Sequence, residues 1–357
     1  MSLARENGIL KYLFEKDDIR INLMEVCGTH THAIARAGIK ALLPDSIRLI
    51  SGPGCPVCVT AQETIDAYLT LSERDDVIIA TYGDMIRVPG SERGDNLARR
   101  RALGSHVAVV YSPVDAVDIA ANNPDKTVVF LGVGFETTAP GTAASIGIAK
   151  ERNVHNYCVY SMLKRVEPAL RALLDSPDFD ISGFIVPGHV AAIIGERGFD
   201  FLSSEYKKPS VITGFEPEDI MGSIYSLIKQ IRSGRAELEN KYERLVKKEG
   251  NIAAIDAIEK YLYVRDDVWR GFSNISKAGF GIKEEYSDFD AEKRFDIKTV
   301  LKPAPAGCLC GEIIKGRKEP LDCRLFGCIC TPEDPIGPCM VSGEGACSAA
   351  FKYRSLI

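Results

Sequence analysis

No apolar run in the 357 residues approaches the ~20 that a membrane-spanning helix needs, which excludes an integral helical membrane protein. The opening stretch, MSLARENGILKYLFEKDD, lacks the uninterrupted apolar core of a secretory signal, so the cytoplasm is the expected compartment. Charge of one sign is not in excess either. With 44 Lys and Arg against 49 Asp and Glu, the net charge of −5 leaves no electrostatic footprint for nucleic acid. The densest basic run, residues 99–101, reads as a solvated face. There is no G-x-G-x-x-G, no P-loop lysine and no low-complexity segment, so nucleotide binding is weakly supported. What the chain does have is cysteine. Eleven thiols in a reducing compartment point to metal or redox chemistry rather than to structural disulfides. An apolar fraction of 45% supplies a real core, and the length suits two or three domains.

The densest chemistry lies in residues 24–60, MEVCGTHTHAIARAGIKALLPDSIRLISGPGCPVCVT. Residues 19–26 and 47–51 are strand-like, each broken by a turn, CGTH and GPGCPVC. Helical patterns follow over about 32–43 and 60–71. Further apolar runs at 77–82, 106–111, 127–132, 157–160, 183–186 and 210–213 alternate with helical segments. That alternation predicts an α/β protein with parallel sheets, in two similar lobes of four strands facing a cleft. The expected boundaries are 1–122 for the first lobe, 123–232 for the second, and 233–357 for a helical and cysteine-rich domain. Residues 1–18 read as an amphipathic lead-in helix, 216–260 as helical and charged, and 302–307 as a linker. The turns CGTH, GPGCPVC, TYGD, GVGFETT, VPGH and TGFEP all follow strand-like runs, and ligands of open parallel sheets bind beyond the carboxyl ends of the strands.

Cys27 and His30 offer a thiol and an imidazole, suited to iron, copper or zinc, or to a Cys/His nucleophile pair. A cysteine in front of a helix is expected to be more acidic than usual. His32 reads as a surface residue. Cys55 and Cys58 form a C-x-x-C at a helix start, a redox dithiol or half of a zinc site, and no second C-x-x-C completes the latter. Glu136 can supply a carboxylate to the cleft; equally, Thr137 or Thr138 can cap a helix ahead of Pro140. His189, alone in an apolar context, is the better candidate of the PGH turn. Seven cysteines at 308, 310, 323, 328, 330, 339 and 347 suit zinc or an iron–sulfur cluster, and spacing alone does not choose between them.

Taken together, CGTHTHAIARAGIKALLP, GPGCPVC, GVGFETTAP, VPGHVAAIIG and CLCGEIIKG…CRLFG…C…GPCMVSGEGAC resemble the HypD family of NiFe-hydrogenase maturation factors, from about residue 20 onward. The resemblance implies two α/β lobes and a third domain carrying a 4Fe–4S cluster. It implies a scaffold for the Fe(CN)2CO moiety, holding mononuclear iron with a HypC-like small chaperone and taking cyanide from a HypE-like donor. Carried over, Cys27 is the iron thiolate with His30 beside it, and Cys55 and Cys58 are the redox dithiol. The family's cluster spacing falls on Cys308, Cys323, Cys330 and Cys347, which leaves Cys310 and Cys339 as a relay pair. Cys310 is close enough in sequence to compete as a ligand, Cys328 is extra, and Cys158 looks incidental. The rival reading is a cluster-containing thiol-disulfide oxidoreductase in which Cys55 and Cys58 do all the work.

Overall fold

A computed structural model describes residues 8, 11–14, 19–300, 302 and 305–355. The expected lead-in helix falls largely outside them, although residues 11–13 are helical; the expected linker at 302–307 falls partly outside them too. Eleven strands are present among the described residues: β1 (Ile21–Glu25), β2 (Ile47–Ser51), β3 (Val77–Thr81), β4 (Val107–Val109), β5 (Thr127–Gly134), β6 (Tyr157–Leu163), β7 (Gly183–Pro187), β8 (Ser210–Thr213), β9 (Leu238–Asn240), β10 (Leu262–Val268) and β11 (Asn274–Ile282). Strands β1, β3, β6, β7 and β8 are buried at every position, as expected for parallel strands covered by helices on both faces.

The expected parallel α/β architecture is present, as two sheets ordered β2-β1-β7-β8-β9 and β4-β3-β5-β6. Every pairing in both is parallel. The grouping of strands differs from the sequence expectation. The chain lays down β1 and β2, leaves to build all of the second sheet with β3 to β6, and returns with β7, β8 and β9. The sheets therefore do not divide at residue 122. Grouping by sequence order makes chain neighbours sheet neighbours, but Leu23 pairs with Leu49 on one side and with Gly183 on the other. A pairing across 160 residues leaves no local trace.

Two helix expectations also change, each at a glycine. The helix expected over 32–43 is Gly28–Arg36 followed by a 3-10 turn at Ile39–Leu42. Gly38 between them takes φ +61, a left-handed conformation that ends helices. Helix Pro217–Arg232 stops before Gly234 at φ +66, so the charged stretch 216–260, expected to be helical throughout, is helical at its two ends, Pro217–Arg232 and Ile252–Tyr261, with edge strand β9 and a turn between them. The antiparallel hairpin β10–β11 was not anticipated. It packs against β6 and bridges Lys164 to Gly279. No described helix is long and apolar enough to cross a membrane.

Candidate functional site

In the first sheet the chain moves outward from β1 to β2 on one side, and from β7 to β8 and β9 on the other. The point where strand order reverses lies between β1 and β7, and such points open the crevice that ligands use. CGTH leaves β1 there and PGH leaves β7. His30 and His189 meet across it: His30 stacks on Phe215 with ring centroids 4.6 Å apart, and His189 lies 4.0 Å from the same ring. His30 is fully buried, its Nε2 is 2.9 Å from the Gly214 carbonyl oxygen, and Nδ1 has no protein partner. Burial lowers its pKa to about 4, so the ring is neutral at pH 7. His189 is exposed.

Cys27 sits where three segments cross. The Gly28 amide donates to the Gly54 carbonyl at 2.9 Å, and a methyl on Gly54 would lie 2.3 Å from the Cys27 nitrogen. On the other side, a methyl on Gly28 would meet Glu344 Cβ at 2.2 Å. Only glycines allow CGTH, GPGCPVC and SGEGAC to approach this closely. Cys27 is 8% exposed, and it adopts extended backbone as the N-cap of Gly28–Arg36. The expected acidification is not observed. Burial, with Glu344 and Glu25 adding negative charge, pushes the thiol up to about 12, outweighing the His30 and Thr29 amides. A metal cation is the usual means of ionising such a thiol.

Glu25 and Glu344 are the residues that the sequence reading overlooked. Glu25 is buried in β1; its Oε2 accepts from the Cys27 amide at 3.0 Å and its Oε1 from Thr31 Oγ1 at 2.5 Å. A carboxylate inside a run of strand residues that is otherwise apolar at most positions was the available signal. Glu344 Oε1 accepts from Thr29 Oγ1 at 3.5 Å, and burial raises its pKa to about 7.

Cys55 and Cys58 are disulfide-bonded, with Cα atoms 5.2 Å apart. Cys55 caps the short helix Pro56–Val59, its sulfur accepting from the Cys58 amide at 3.1 Å. Both are buried, Cys55 at 6% exposed being slightly the nearer to solvent and Cys58 at 1% the deeper. Their cover is the carboxy-terminal region. The helices Cys310–Ile314 and Pro338–Val341 pack on Pro56–Val59, and Ala346–Lys352 packs on Gly28–Arg36. Cys55, Cys58, Cys339 and Glu344 line a cavity of about 10 Å³, room for roughly one water.

The carboxy-terminal thiols form a series. All are free thiols; Cys308 neighbours Cys310, Cys310 neighbours Cys339, and Cys339 neighbours Cys347, whose amide donates to Cys339 Sγ at 3.2 Å. The neighbouring Cys310 thiol and then burial hold Cys308 far above the usual thiol range. Cys330 lies within electrostatic reach of Cys308 and Cys323, and Cys347 of Cys308 and Cys330. Cys328 is exposed and outside the series, and Cys158 is buried in β6. Among the described residues, no three Cys, His, Asp or Glu side chains are arranged to hold a single metal ion. A 4Fe–4S cluster asks for something different, four thiolates each on its own iron. The donor set suits it. A methyl on Gly337 would come within 2.9 Å of Cys308 Sγ, so glycine leaves a cradle beside that sulfur, and the Ile336 amide donates to Cys330 Sγ at 3.4 Å.

Glu136 is elsewhere. It is buried after β5, its Oε1 accepts from the Val166 amide at 3.0 Å, and burial raises its pKa to about 7. Thr138 stands at the start of Ala139–Glu151 without a side-chain cap bond, so the expected threonine cap is absent there.

A family model for HypD, described as the hydrogenase formation hypA family, matches residues 7–354. The chain belongs to the HypD family. It is 45% identical to the hydrogenase maturation factor HypD of Cupriavidus necator, over 94% of this chain and 90% of that protein. It is 43% identical to HypD2 of Bradyrhizobium diazoefficiens, over 97% and 93%. A putative hydrogenase expression/formation protein of Methanocaldococcus jannaschii is 42% identical over 96% and 95%. The family so shown is the one whose motifs the sequence carries.

Proposed function

We propose that this chain is a maturation scaffold of the cytoplasm, on which iron acquires the cyanide and carbon monoxide ligands of a NiFe-hydrogenase. The observation that carries this reading is the placement of Cys27 at a crossing of three segments, against Gly54 of the turn that leads into Cys55 and Cys58, whose helix is in turn packed on by the helices that carry Cys310 and Cys339. Iron is the cargo. Cys27 binds it through sulfur, a soft donor suited to iron that will carry strong-field ligands, and a HypC-like small chaperone shares it. His30, kept neutral by burial, stands by as a hydrogen-bonding group and not as a cation.

Cyanide comes from a HypE-like donor as a thiocyanate on a cysteine. Its release as cyanide leaves a thiolate and takes two electrons, which the Cys55–Cys58 pair supplies on passing from dithiol to disulfide. Cys310 and Cys339 then connect that pair with Cys308, Cys323, Cys330 and Cys347, the residues that would hold a 4Fe–4S cluster. The cluster, when bound, supplies electrons one at a time. Cys339 lines the small cavity shared with both cysteines of the pair, which suits it to pass reducing equivalents there.

The test is the iron-to-sulfide ratio of the chain purified anaerobically with its chaperone. The scaffold reading requires one iron in excess of sulfide, lost in Cys27→Ala. Equal iron and sulfide in both proteins would favour the oxidoreductase reading, in which Cys55 and Cys58 act alone.

A further inference from the structure

The turn of the β10–β11 hairpin, residues 269–273, docks beside the carboxy-terminal thiols. A methyl on Gly271, which takes φ +83, would lie 2.7 Å from Gly311 Cα, and one on Gly311 would lie 2.8 Å from Gly271 Cα. The two backbones touch, and Gly311 directly follows Cys310. Trp269, fully buried, anchors the turn, its Nε1 donating to the Ala278 carbonyl at 3.2 Å.

Arg270 lies in this turn and is 6% exposed. Its backbone amide donates to the Val59 carbonyl at 2.8 Å, its Nε to the Thr60 carbonyl at 3.1 Å and its Nη2 to Gln62 Oε1 at 3.2 Å. All three acceptors are neutral. They satisfy donors without cancelling the charge, and no described carboxylate forms an ion pair with this side chain. Nearby cations of the hairpin region are treated differently: Lys164 pairs with Asp267 at 2.7 Å, and Arg265 with Glu292 at 2.6 Å. A guanidinium does not give up its proton, and burying it without a counter-charge is costly. Arg270 therefore calls for an anion that the described side chains do not supply. Its charge lies within electrostatic reach of Cys308 and Cys310.

A cluster on four thiolates is an anion, and reduction adds a further negative charge. We infer that Arg270 is the counter-cation of the 4Fe–4S cluster and raises its reduction potential. This inference rests on the cluster reading above and adds to it the group that sets how readily the cluster accepts an electron. The attraction grows with the charge on the cluster, so it favours the reduced state over the oxidised one. The same side chain grips the segment that directly follows Cys58, so the hairpin ties the dithiol and the cluster region together.

Redox titration of the anaerobically purified chain, with dithionite and dye mediators and read by the electron paramagnetic resonance of the reduced cluster, tests this. Arg270→Gln should shift the equilibrium about 10-fold toward the oxidised cluster, about 59 mV for one electron. Arg270→Lys keeps the charge and should stay close to the unaltered protein. Gln62→Glu keeps an acceptor for Nη2 but brings a carboxylate to it, and should lower the potential with Arg270 still in place. An unchanged potential in Arg270→Gln, with full iron and sulfide, would overturn the inference and leave the cluster reading standing. So would an equal fall in Arg270→Lys and Arg270→Gln. Where Arg270→Gln does not hold its cluster, an unchanged potential in Gln62→Glu would overturn the inference instead. An unaltered protein without iron and sulfide would overturn both readings.

Discussion

The carboxyl edges of the two sheets are made of similar turns and put to different use. At the first, residues from β1, β2, β7 and β8 converge, and glycines let three distant segments touch around Cys27. At the second, Glu136 spends one oxygen on the backbone amide of Val166 and buries the other without a partner. The first edge is completed by a segment some 300 residues away in sequence, the second by its own following strand and helix. Turns that look alike in sequence therefore acquire chemistry according to what crosses them.

The largest effect should come from the crossing segment. Replacing any of Cys308, Cys323, Cys330 or Cys347 by serine should strip iron and sulfide, read by colorimetric assay on anaerobic protein, whereas exposed Cys328→Ser should retain both. If Cys310→Ser lost them while Cys308→Ser did not, the donor set would need Cys310 in place of Cys308. Next in size is Gly54→Ala. Its methyl would press on backbone atoms of Cys27, which cannot rotate away, so the protein should lose about 3 kcal/mol in denaturant unfolding. A cost near zero would mean that the crossing is loose.

Glu136→Gln probes the second edge. The folded-state pKa of about 7 lies above the ordinary carboxyl value of 4.5, so the folded form holds its proton more tightly. That contribution is complete below the lower value and is lost as pH rises through the higher, a swing of about 3 kcal/mol. The glutamine variant should thus exceed the parent in stability at pH 8, and the gap should close by pH 4. A constant gap across that range would show that burial does not hold the proton. Smallest is Gly141→Ala on the exposed face of Ala139–Glu151, where the nearest atom to a new methyl is 3.9 Å away. It should add about 0.5–1 kcal/mol through helix propensity alone.

Strand positions, turn chemistry and the family were legible because each is local: β-branched runs at 77–81 or 183–187, glycines at the turns, cysteines in motif order. Partnership was not. That β7 rather than β3 lies beside β1 depends on how a 130-residue excursion packs, and no periodicity reports it. The same limit hid Glu344 from Cys27. The acidity expected for Cys27 failed for another reason: the helix N-terminus is there, but burial and two carboxylates outweigh it. Charge on a turn can be read from sequence; its desolvation cannot.

The central claim is that Cys27 holds the iron on which the diatomic ligands gather. Infrared spectroscopy of the chain purified anaerobically with its chaperone tests it directly, because metal-bound cyanide and carbon monoxide absorb where protein does not. The unaltered protein should show both sets of bands. Cys27→Ala should show none while keeping its fold by circular dichroism and its cluster iron by assay, and Cys27→Ser should behave nearly the same. Full cyanide and carbon monoxide bands in Cys27→Ala would contradict the account and move the iron to Cys55 or Cys58.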